Sequence, residues 1–578
     1  MRINKLTINY LLLTILFISA VIRLWKLGSI PSGLTPDEAS LGYNAFSILK
    51  TGRDEYGELL PLIFKSFGDY KPGLYIYLTV PFVALFGLSE WSVRLPSALA
   101  GVLAVWLVCK IVGILTSSFG ILKTPQNDIK KNISIFNFQF SIGEIAAFLL
   151  AISPWHTHFS RGAWEANVAL TLTLAGIYFF LKSFNTSKFL LASSFCFSLT
   201  LLTYQGAKLS TAIVMVVLAF AYWKEIKILF RDNITTVLQC TVVGLIVALP
   251  IVLSLFTGKT GRLEVFSVFS YPRPKDYLQT FLDQGDEKVG GLTYNLYHSE
   301  SLNFTRGILG RWSNHFSARF LLFRGDYQNP RHSAPNHGML QLFDFILLPL
   351  GFIIVAKRGL KKSAKFILFW LVLAPLPAVL SRDQVQSVRA LNMIIPLTLI
   401  SSFGFVYLLS LASKLKSHIL HTTFLILFAG FFLASNIYFL DSYFIHLPKH
   451  DAKYWNYGYR EVVETVTPIQ SNYGKIIFQQ SYDQPYIFFL FFQKYNPVKY
   501  QKQAKLFESS VDVGLVSKLD NIYFESYTWP HATGQKNTLL VGNSIAIPFD
   551  FNKDSYELVS EIKYPDNFMT AFRVVETK

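Results

Sequence analysis

The chain has 578 residues, of which 52% are hydrophobic, 16% aromatic and only 15% charged, and its mean hydropathy is +0.36. About a quarter of the residues are charged in a typical soluble domain, and disordered chains are poorer in apolar residues, so the composition excludes both classes and indicates a polytopic membrane protein. The net charge of +17 lies mostly in short loops between apolar runs, where membrane topology explains it, and no basic tract suits nucleic acid.

Apolar runs of about 17–23 residues predict eleven membrane spans. A further run, 72–88, contains Pro72 and Pro81 and is interpreted as an interfacial or re-entrant helix. Counting it as a span would place the later basic loops outside, against the positive-inside rule. The prediction is therefore an uncleaved first span, an inside N-terminus and an outside C-terminus. The eleven spans begin near Ile8, Val93, Ser134, Ala166, Phe189, Leu209, Thr235, Met339, Ala364, Leu391 and Ile419.

The topology divides the chain into a transmembrane part, 1–440, and an external part, 441–578. Within the first part, 25–92 and 257–338 are long outer loops. The external part has strand-like runs at 475–478, 538–541, 556–562 and 571–575, with helical stretches at 461–467 and 484–494, which predict a small α/β domain. The three cysteines, Cys109, Cys196 and Cys240, lie in apolar runs, so no disulfide framework is expected.

The first outer loop opens with adjacent carboxylates, Asp37 and Glu38. Thr35 can cap a helix there and Pro36 suits its first position, so an interfacial helix is predicted. Carboxylates at a membrane surface are costly unless they bind a cation or act as acid or base. The alternative is that they only offset the helix dipole.

The same loop ends in a second polar motif, Asp69-Tyr70-Lys71-Pro72. It places a cation and a carboxylate where the chain returns to the interface. Lys71 could clamp a phosphate, or it could reach toward lipid headgroups, as lysines at span ends commonly do.

The second outer loop, 153–167, contains His156, His158, Arg161 and Glu165. The histidines are two positions apart, which suits a metal pair only if the backbone is extended. No zinc-type spacing accompanies them, so a hydrogen-bonded loop histidine is the alternative.

Later outer segments add further cations. Lys208 lies in a turn, Arg331 and His332 lie at the end of the long loop, and Arg389 precedes the tenth span. A cation at these positions can meet a bound phosphate or anionic headgroups. The residues predicted to surround a donor phosphate are Lys71, Arg161, Lys208 and Arg389.

Together these motifs resemble the GT-C membrane glycosyltransferases, most closely glycosyltransferase family 39 and the lipid A aminoarabinose transferases. The resemblance covers roughly residues 8–440 and rests on order, spacing and topology. The residues that carry it are Pro36-Asp37-Glu38, Lys71-Pro72 with Leu74-Tyr75, the segment 153–167, and Arg389.

The resemblance implies transfer of a sugar from a polyprenyl-phosphate carrier to an acceptor outside the cytoplasm. Asp37, with Glu38 beside it, would act as the base or position the acceptor, and Lys71 and Arg389 would lie near the lipid phosphate. The family often has Asp where this chain has Glu165. The implied substrate cavity is lined by Asp69, Tyr70, Tyr75, His156, His158, Glu165, Arg331 and His332.

No phosphate-binding glycine motif is present, so no nucleotide cofactor is expected, while Asp37 and Glu38 could hold a divalent cation. The acceptor could be a protein, a lipid or a glycan, and the site would lie at the outer face of the plasma membrane. A transporter or flippase for a lipid-linked sugar, a membrane anchor without activity, and a surface-glycan polymerase or oligosaccharide transferase remain alternatives. A transporter would favour ionisable residues at mid-membrane and paired broken helices, and the sequence has neither.

Overall fold

The computed structural model describes residues 9–118, 133–135, 138–256, 267–357, 361–480, 484–507, 514–530 and 537–578. The predicted start of the first span, Ile8, and the beginning of the long outer loop lie outside the described residues. Each of the eleven predicted spans contains a helix: Tyr10–Leu24, Glu90–Ser118, Ile142–Ala151, Glu165–Ser183, Phe189–Leu201, Ala207–Ala221, Ile234–Phe256, Asp344–Lys357, Lys362–Leu373, Ile394–Ala412 and His418–Asp441. The predicted start of the third span at Ser134 was wrong, because the strands Ile133–Ile135 and Phe138–Phe140 pair there before the helix begins at Ile142.

Six helical segments of the described chain are long and apolar enough to cross a bilayer. The apolar helix of the ambiguous run, Leu74–Phe86, has 13 residues and is thus about 20 Å long, too short to span alone. Phe189–Leu201, which lies in a predicted span, has the same length, so helix length does not distinguish the two cases and the interfacial or re-entrant interpretation stays a prediction. The six segments are Glu90–Thr116, Glu165–Ser183, Ile234–Ile251, Lys362–Val379, Leu391–Ala412 and His418–His450.

Other helices cover the loops and the tail. The first outer loop contains Pro36–Thr51, and the long outer loop contains Lys275–Gln284 and Glu300–His315. The remaining ones are Pro154–Arg161, Trp223–Asp232, Leu376–Val379, Leu447–His450, Tyr459–Val466, Pro485–Phe492 and Pro497–Gln503.

Two membrane helices, Asp344–Lys357 and Ile394–Ala412, pack with their backbones close together. A Cβ added at Gly404 would lie 1.9 Å from the Leu347 carbonyl oxygen, and one at Gly351 would lie 2.0 Å from that of Ile400. Small residues commonly allow this approach between membrane helices, because van der Waals packing replaces the hydrophobic drive there.

The tail forms a six-stranded mixed sheet, and all four predicted strands are present in it. In spatial order the strands are Tyr556–Lys563, Thr570–Thr577, Thr538–Gly542, Lys475–Gln479, Ile522–Glu525 and Lys518–Leu519. Lys475–Gln479 pairs in parallel with both of its neighbours, and the other pairs are antiparallel. The strands Lys518–Leu519 and Ile522–Glu525 were not predicted.

The tail has one hydrophobic cluster of its own and shares a second, larger one with the first-loop helix. One hydrophobic cluster joins buried residues of the first-loop helix, such as Ala39 and Tyr43, to buried residues of the tail, such as Phe478 and Phe489. The Tyr43 hydroxyl donates a hydrogen bond to the Tyr495 carbonyl oxygen at 3.1 Å. The first-loop helix is thus held by the tail as well as by the membrane helices.

Candidate active site

The first-loop helix begins with the predicted cap. The Thr35 side chain accepts a hydrogen bond from the Glu38 amide at 3.2 Å, and the Glu38 carboxylate accepts one from the Thr35 amide at 3.1 Å. Pro36 occupies the first helical position. This reciprocal capping fixes the first turn, and it sends two adjacent carboxylates in different directions: the Asp37 side chain is 57% exposed and that of Glu38 only 4%.

Glu38 is paired with Arg94, which lies near the start of a long membrane helix. The Arg94 Nε donates to Glu38 Oε1 at 2.9 Å, and the same guanidinium donates to the carbonyls of Leu27 and Pro31. The Ala163 amide also donates to Glu38 Oε1, at 2.9 Å. Glu38, predicted as a catalytic partner of Asp37, is instead buried as a link between three segments.

Asp37 forms an ion pair with Lys71. Lys71 lies on the strand Asp69–Pro72, which pairs with Ile63–Ser66 in a short hairpin that the sequence analysis did not predict. Burial by the surrounding side chains opposes ionisation of Asp37, but Lys71 and Arg331 outweigh it and hold the pKa of Asp37 below its usual value. Asp37 in turn raises the pKa of Lys71, so both groups are charged at neutral pH.

Further charged groups and one tyrosine surround this pair. Glu165 interacts electrostatically with both Asp37 and Lys71. Tyr204 is hydrogen-bonded to Arg389 and interacts with Asp37. We call Asp37, Lys71, Glu165, Tyr204, Arg331 and Arg389 the charged cluster.

The rim of the charged cluster contains three more of the predicted residues. Asp69 interacts electrostatically with both Lys71 and Lys208. The backbone of Tyr70 is held by Gln205, whose Nε2 donates to the Tyr70 carbonyl at 2.8 Å. The hairpin and the turn before Lys208 are therefore in direct contact at the rim of the site.

Asp326 joins the two loops that supply the arginines. Its carboxylate accepts hydrogen bonds from the amide and hydroxyl of Ser387, both at 2.8 Å, and lies 3.2 Å from His332 Nδ1. Ser387 is two residues before Arg389, and His332 follows Arg331. A single buried carboxylate thus fixes the spacing of two cations of the charged cluster.

The histidines predicted to line the cavity serve as scaffold. His158 Nε2 lies 2.9 Å from the Arg331 carbonyl oxygen, which can only accept, so this nitrogen is the donor. Burial lowers the pKa of His158 and of His332. His156 Nδ1 lies 2.7 Å from an Arg23 nitrogen, on the other side of the same short helix.

The segment Pro154–Arg161 is helical, so the extended backbone that a metal pair of His156 and His158 would need is not present there. Residues two apart on a helix do not face the same side, and the Arg161 guanidinium donates to the carbonyls of Ile22, Trp25 and Ile30. Arg161 is thereby removed from the charged cluster. The Tyr75 hydroxyl likewise donates to the Val93 carbonyl oxygen at 2.9 Å and is buried.

Three functional or supporting residues were missed by sequence reasoning: Arg23, Arg94 and Tyr204. For the two arginines a signal existed, because an arginine in an apolar run must be paired when it is buried. Tyr204 carries no such signal, since a tyrosine near the end of an apolar helix is ordinary.

The two adjacent carboxylates do not form a chelating pair. Both Glu38 oxygens accept from Arg94 and from backbone amides, and Asp37 faces Lys71. Within the described ranges no group of three or more His, Cys, Asp or Glu residues could hold a metal ion. The described residues therefore do not fit the divalent site considered from the sequence.

Comparison with known proteins adds evidence on the fold. No protein-family model and no curated protein matches the chain. The crystal structure of ArnT from Cupriavidus metallidurans bound to undecaprenyl phosphate is similar, with a TM-score of 0.50 and 11% identity over 98% of this chain and 96% of that one. Its apo form is similar to the same degree, over 97% of each chain.

The archaeal oligosaccharyltransferase AglB from Archaeoglobus fulgidus, in complex with an inhibitory peptide and a dolichol-phosphate, gives a TM-score of 0.47 and 14% identity over 83% of this chain and 63% of that one. The ArnT likeness shows that the chain has the GT-C type of membrane fold with a C-terminal β-containing part. The expected likeness to aminoarabinose transferases is confirmed at the level of the fold. The likeness to glycosyltransferase family 39 stays a prediction.

Proposed function

We propose that the chain is a membrane glycosyltransferase that moves a sugar from a polyprenyl-phosphate donor to an acceptor hydroxyl at the extracytoplasmic face. The observation that carries the proposal is the exposed Asp37 carboxylate, paired with Lys71 in a charged cluster to which Arg331 and Arg389 come from two other loops. A fold shared with a protein crystallised with undecaprenyl phosphate supports a lipid-phosphate ligand.

The chemistry is an in-line displacement at the anomeric carbon, with inversion. The acceptor oxygen attacks that carbon, its proton passes to Asp37, and the bond between the sugar and the phosphate oxygen breaks. The electron pair leaves with the polyprenyl phosphate. Lys71, Arg331 and Arg389 stabilise the charge that grows on this leaving group.

The ion pair also suggests how the base is activated. While Lys71 contacts Asp37, the carboxylate is a weak base because its pKa is held low. The donor phosphate is a diester with one negative charge, as the Asp37 carboxylate is, and it competes with Asp37 for the Lys71 ammonium group. When Lys71 turns to the phosphate, the pKa of Asp37 rises, and the carboxylate becomes a better proton acceptor only with the donor bound.

The other residues of the site have supporting roles in this proposal. Glu165, close to both Asp37 and Lys71, orients the ammonium group, and Asp69 does so from the rim with Lys208 opposite. In this proposal the shape of the cavity, and not the charged cluster, selects the sugar, hexosyl or pentosyl, and the acceptor, a protein, a lipid or a glycan. With the predicted orientation, in which the N-terminus is inside, the proposed site would lie at the outer surface of the membrane.

The test is release of polyprenyl phosphate from a labelled polyprenyl-phosphate sugar by the purified protein, with crude membrane acceptors and with and without a chelator. Asp37→Asn should lose about 10²–10⁴-fold in rate, as expected for a general base. Asp232→Asn removes another exposed carboxylate, at the end of the Trp223–Asp232 helix, and should leave the rate unchanged.

An Asp37→Asn protein with full activity would exclude this base. Absence of turnover by the wild type with several sugar donors would favour the transporter alternative, which a lipid-translocation assay would then test.

A further inference from the structure

An apolar groove lies among the last membrane helices, away from the charged cluster. It has a volume of about 430 Å³ and lies between the helices Asp344–Lys357, Ile394–Ala412 and His418–Asp441. The proposed transfer reaction does not use it. Its lining consists of apolar side chains, among them Phe345, Pro349, Leu408, Leu411, Leu415 and Phe424.

The groove is separate from the place of the donor phosphate. Arg389 of the charged cluster lies before the start of the helix Ile394–Ala412, whereas the groove begins at Leu408 on that helix. At a rise of about 1.5 Å per residue, Leu408 lies about 21 Å along the helix axis from Ile394. An occupant of the groove is therefore in the other half of the membrane.

The groove has the length of a lipid chain. Phe343, two residues before the groove residue Phe345, stacks on Phe432 with 4.3 Å between the ring centroids. Phe432 lies about 21 Å along its helix from His418, the first helical residue. The groove therefore extends over about 20 Å from the turn at 413–417 toward Phe343. A bilayer with its headgroups is about 40–45 Å thick, so this is the distance from the headgroups to the middle of the membrane.

The groove is open to the surrounding bilayer, because its lining residues Phe345 and Leu415 are 67% and 40% exposed. The last membrane helix packs on the bundle through Phe428, against Phe405, and through Phe432. Both contacts lie beyond Phe424. An empty groove between helices forfeits dispersion contacts along its lining, so a flexible apolar chain that fills it stabilises this packing.

Lysines surround the end of the groove at the turn 413–417. Lys414 and Lys416 flank the groove residue Leu415, and both are exposed. Lys357 ends the neighbouring helix, with its Nζ 5.8 Å from the Tyr407 ring centroid. The sequence has no Asp or Glu at 357–365 or at 413–421, so no carboxylate of these two segments competes for the lysines.

The backbone of this turn is fixed at both ends. His421 Nδ1 lies 2.8 Å from the Ala412 carbonyl oxygen, which can only accept, so this nitrogen is the donor. The Ser417 hydroxyl accepts a hydrogen bond from the Leu420 amide at 3.4 Å and caps the last membrane helix. The lysines are thus presented from a defined position, while their flexible stems let the ammonium groups reach a headgroup.

We propose that the groove binds one anionic glycerophospholipid, with an acyl chain along the groove and its phosphate on Lys414 and Lys416. Each lysine near a membrane surface favours an anionic lipid by about fivefold, so two favour it by about tenfold or more over a neutral lipid with the same chains. With the predicted topology this lipid belongs to the inner leaflet. It would hold the last membrane helix, which leads into the tail, against the bundle. The proposal does not depend on the proposed function.

The experiment counts lipids retained by the full chain, delipidated in neutral detergent, by native mass spectrometry. The probes are phosphatidylglycerol and phosphatidylcholine with identical chains, and undecaprenyl phosphate is added as a competitor. One variant combines Lys414→Gln with Lys416→Gln, and the other, Leu411→Trp, fills the groove with a larger side chain. Thermal unfolding of each variant checks that it is folded.

Two matched controls accompany these variants. Lys188→Gln combined with Lys224→Gln removes two exposed lysines elsewhere on the side predicted to be inside. Leu433→Trp adds the same ring to an exposed position of the last membrane helix. Leu433 is nine residues after Phe424, a rotation of about 180°, so it lies on the side of the helix away from the groove.

The wild type should retain one phosphatidylglycerol about tenfold more tightly than phosphatidylcholine, and phosphatidylglycerol should raise its unfolding temperature. The double lysine variant should lose this preference and the rise in temperature. Leu411→Trp should weaken the binding of both lipids, because the acyl chain no longer fits. Both controls should behave as the wild type.

Equal retention of the two phospholipids by the wild type would overturn the proposal, as would a double lysine variant that keeps the preference. A folded Leu411→Trp protein that binds both lipids normally would show that the lipid is not in the groove. If undecaprenyl phosphate displaced phosphatidylglycerol at a lower concentration, the occupant would be a polyprenyl lipid and the assignment would be wrong. Transfer activity is not part of this readout, so its absence would refute the proposed function and leave the lipid site standing.

Discussion

Asp37→Asn should affect mainly the activity and Glu38→Gln mainly the stability, although the two residues are adjacent and chemically alike. Each substitution keeps the size of the side chain and removes its charge. Asp37→Asn affects an exposed group in the charged cluster, and Glu38→Gln affects the buried partner of Arg94. The first should lose activity with little loss of stability, and the second should lose stability.

The magnitudes follow from burial. The Asp37 side chain is 57% exposed and its partner Lys71 is 23% exposed, so the ion pair contributes no more than about 1 kcal/mol to the free energy of unfolding. The side chains of Glu38 and Arg94 are 4% and 0% exposed. Removing one charge of such a pair leaves the other buried and uncompensated, which costs about 3–5 kcal/mol. That loss is a large part of the roughly 5–15 kcal/mol that stabilises a typical protein.

The assay combines thermal unfolding of the purified variants with the rate of polyprenyl phosphate release. We expect Asp37→Asn to unfold within a few degrees of the wild type and to be inactive. Glu38→Gln should unfold at a clearly lower temperature or fail to accumulate as folded protein. The reasoning would be refuted by a Glu38→Gln protein as stable as the wild type, or by an Asp37→Asn protein as unstable as Glu38→Gln is expected to be.

Three further substitutions test other parts of the structure. Lys71→Gln removes the cation that holds the pKa of Asp37 below the ordinary aspartate value of about 3.9. The acid limb of the pH profile of kcat/KM should therefore move to higher pH in this variant. An unmoved limb would mean that another group titrates. Asp326→Asn weakens the charge-assisted hydrogen bonds from Ser387 and should raise the KM for the donor about tenfold. A change in the unfolding temperature without a change in KM would limit Asp326 to a structural role. Gly404→Ala should lower the free energy of unfolding by about 1–3 kcal/mol, because the added carbon meets the backbone of the neighbouring helix. Gly430→Ala, where the added carbon has open space, should not lower it. Equal unfolding temperatures of the two variants would contradict the close packing.

The membrane helices and the tail strands could be predicted because their signals are local. Each span is a long apolar run, and strands such as Thr538–Gly542 are short runs rich in β-branched and large apolar residues. The Thr35 cap was predictable for the same reason, since its partner is only three residues away. The described strands that were missed, such as Lys518–Leu519, are two to four residues long and give almost no periodic signal.

The division of labour between Asp37 and Glu38 could not be predicted from local sequence. Glu38 is made structural by Arg94, 56 positions further on, and no spacing rule connects the two. The hairpin that carries Lys71 was hidden for a different reason. Its turn has Phe67 and Gly68 at positive φ, and a bulky aromatic residue is rare in that conformation, so the usual glycine or asparagine turn signal is incomplete.

The contact between Tyr43 and Tyr495 has a consequence for the order in which the site is completed during synthesis. The helix that carries Asp37 emerges early, but Tyr43 obtains its hydrogen bond from Tyr495, 452 positions later, and much of the apolar cover of the helix also comes from the tail. Domains generally fold as they emerge from the N-terminus, yet here the packing of the helix that carries Asp37 is completed only after the tail has been made. A nascent chain halted before the tail therefore lacks part of the packing that holds the helix carrying Asp37.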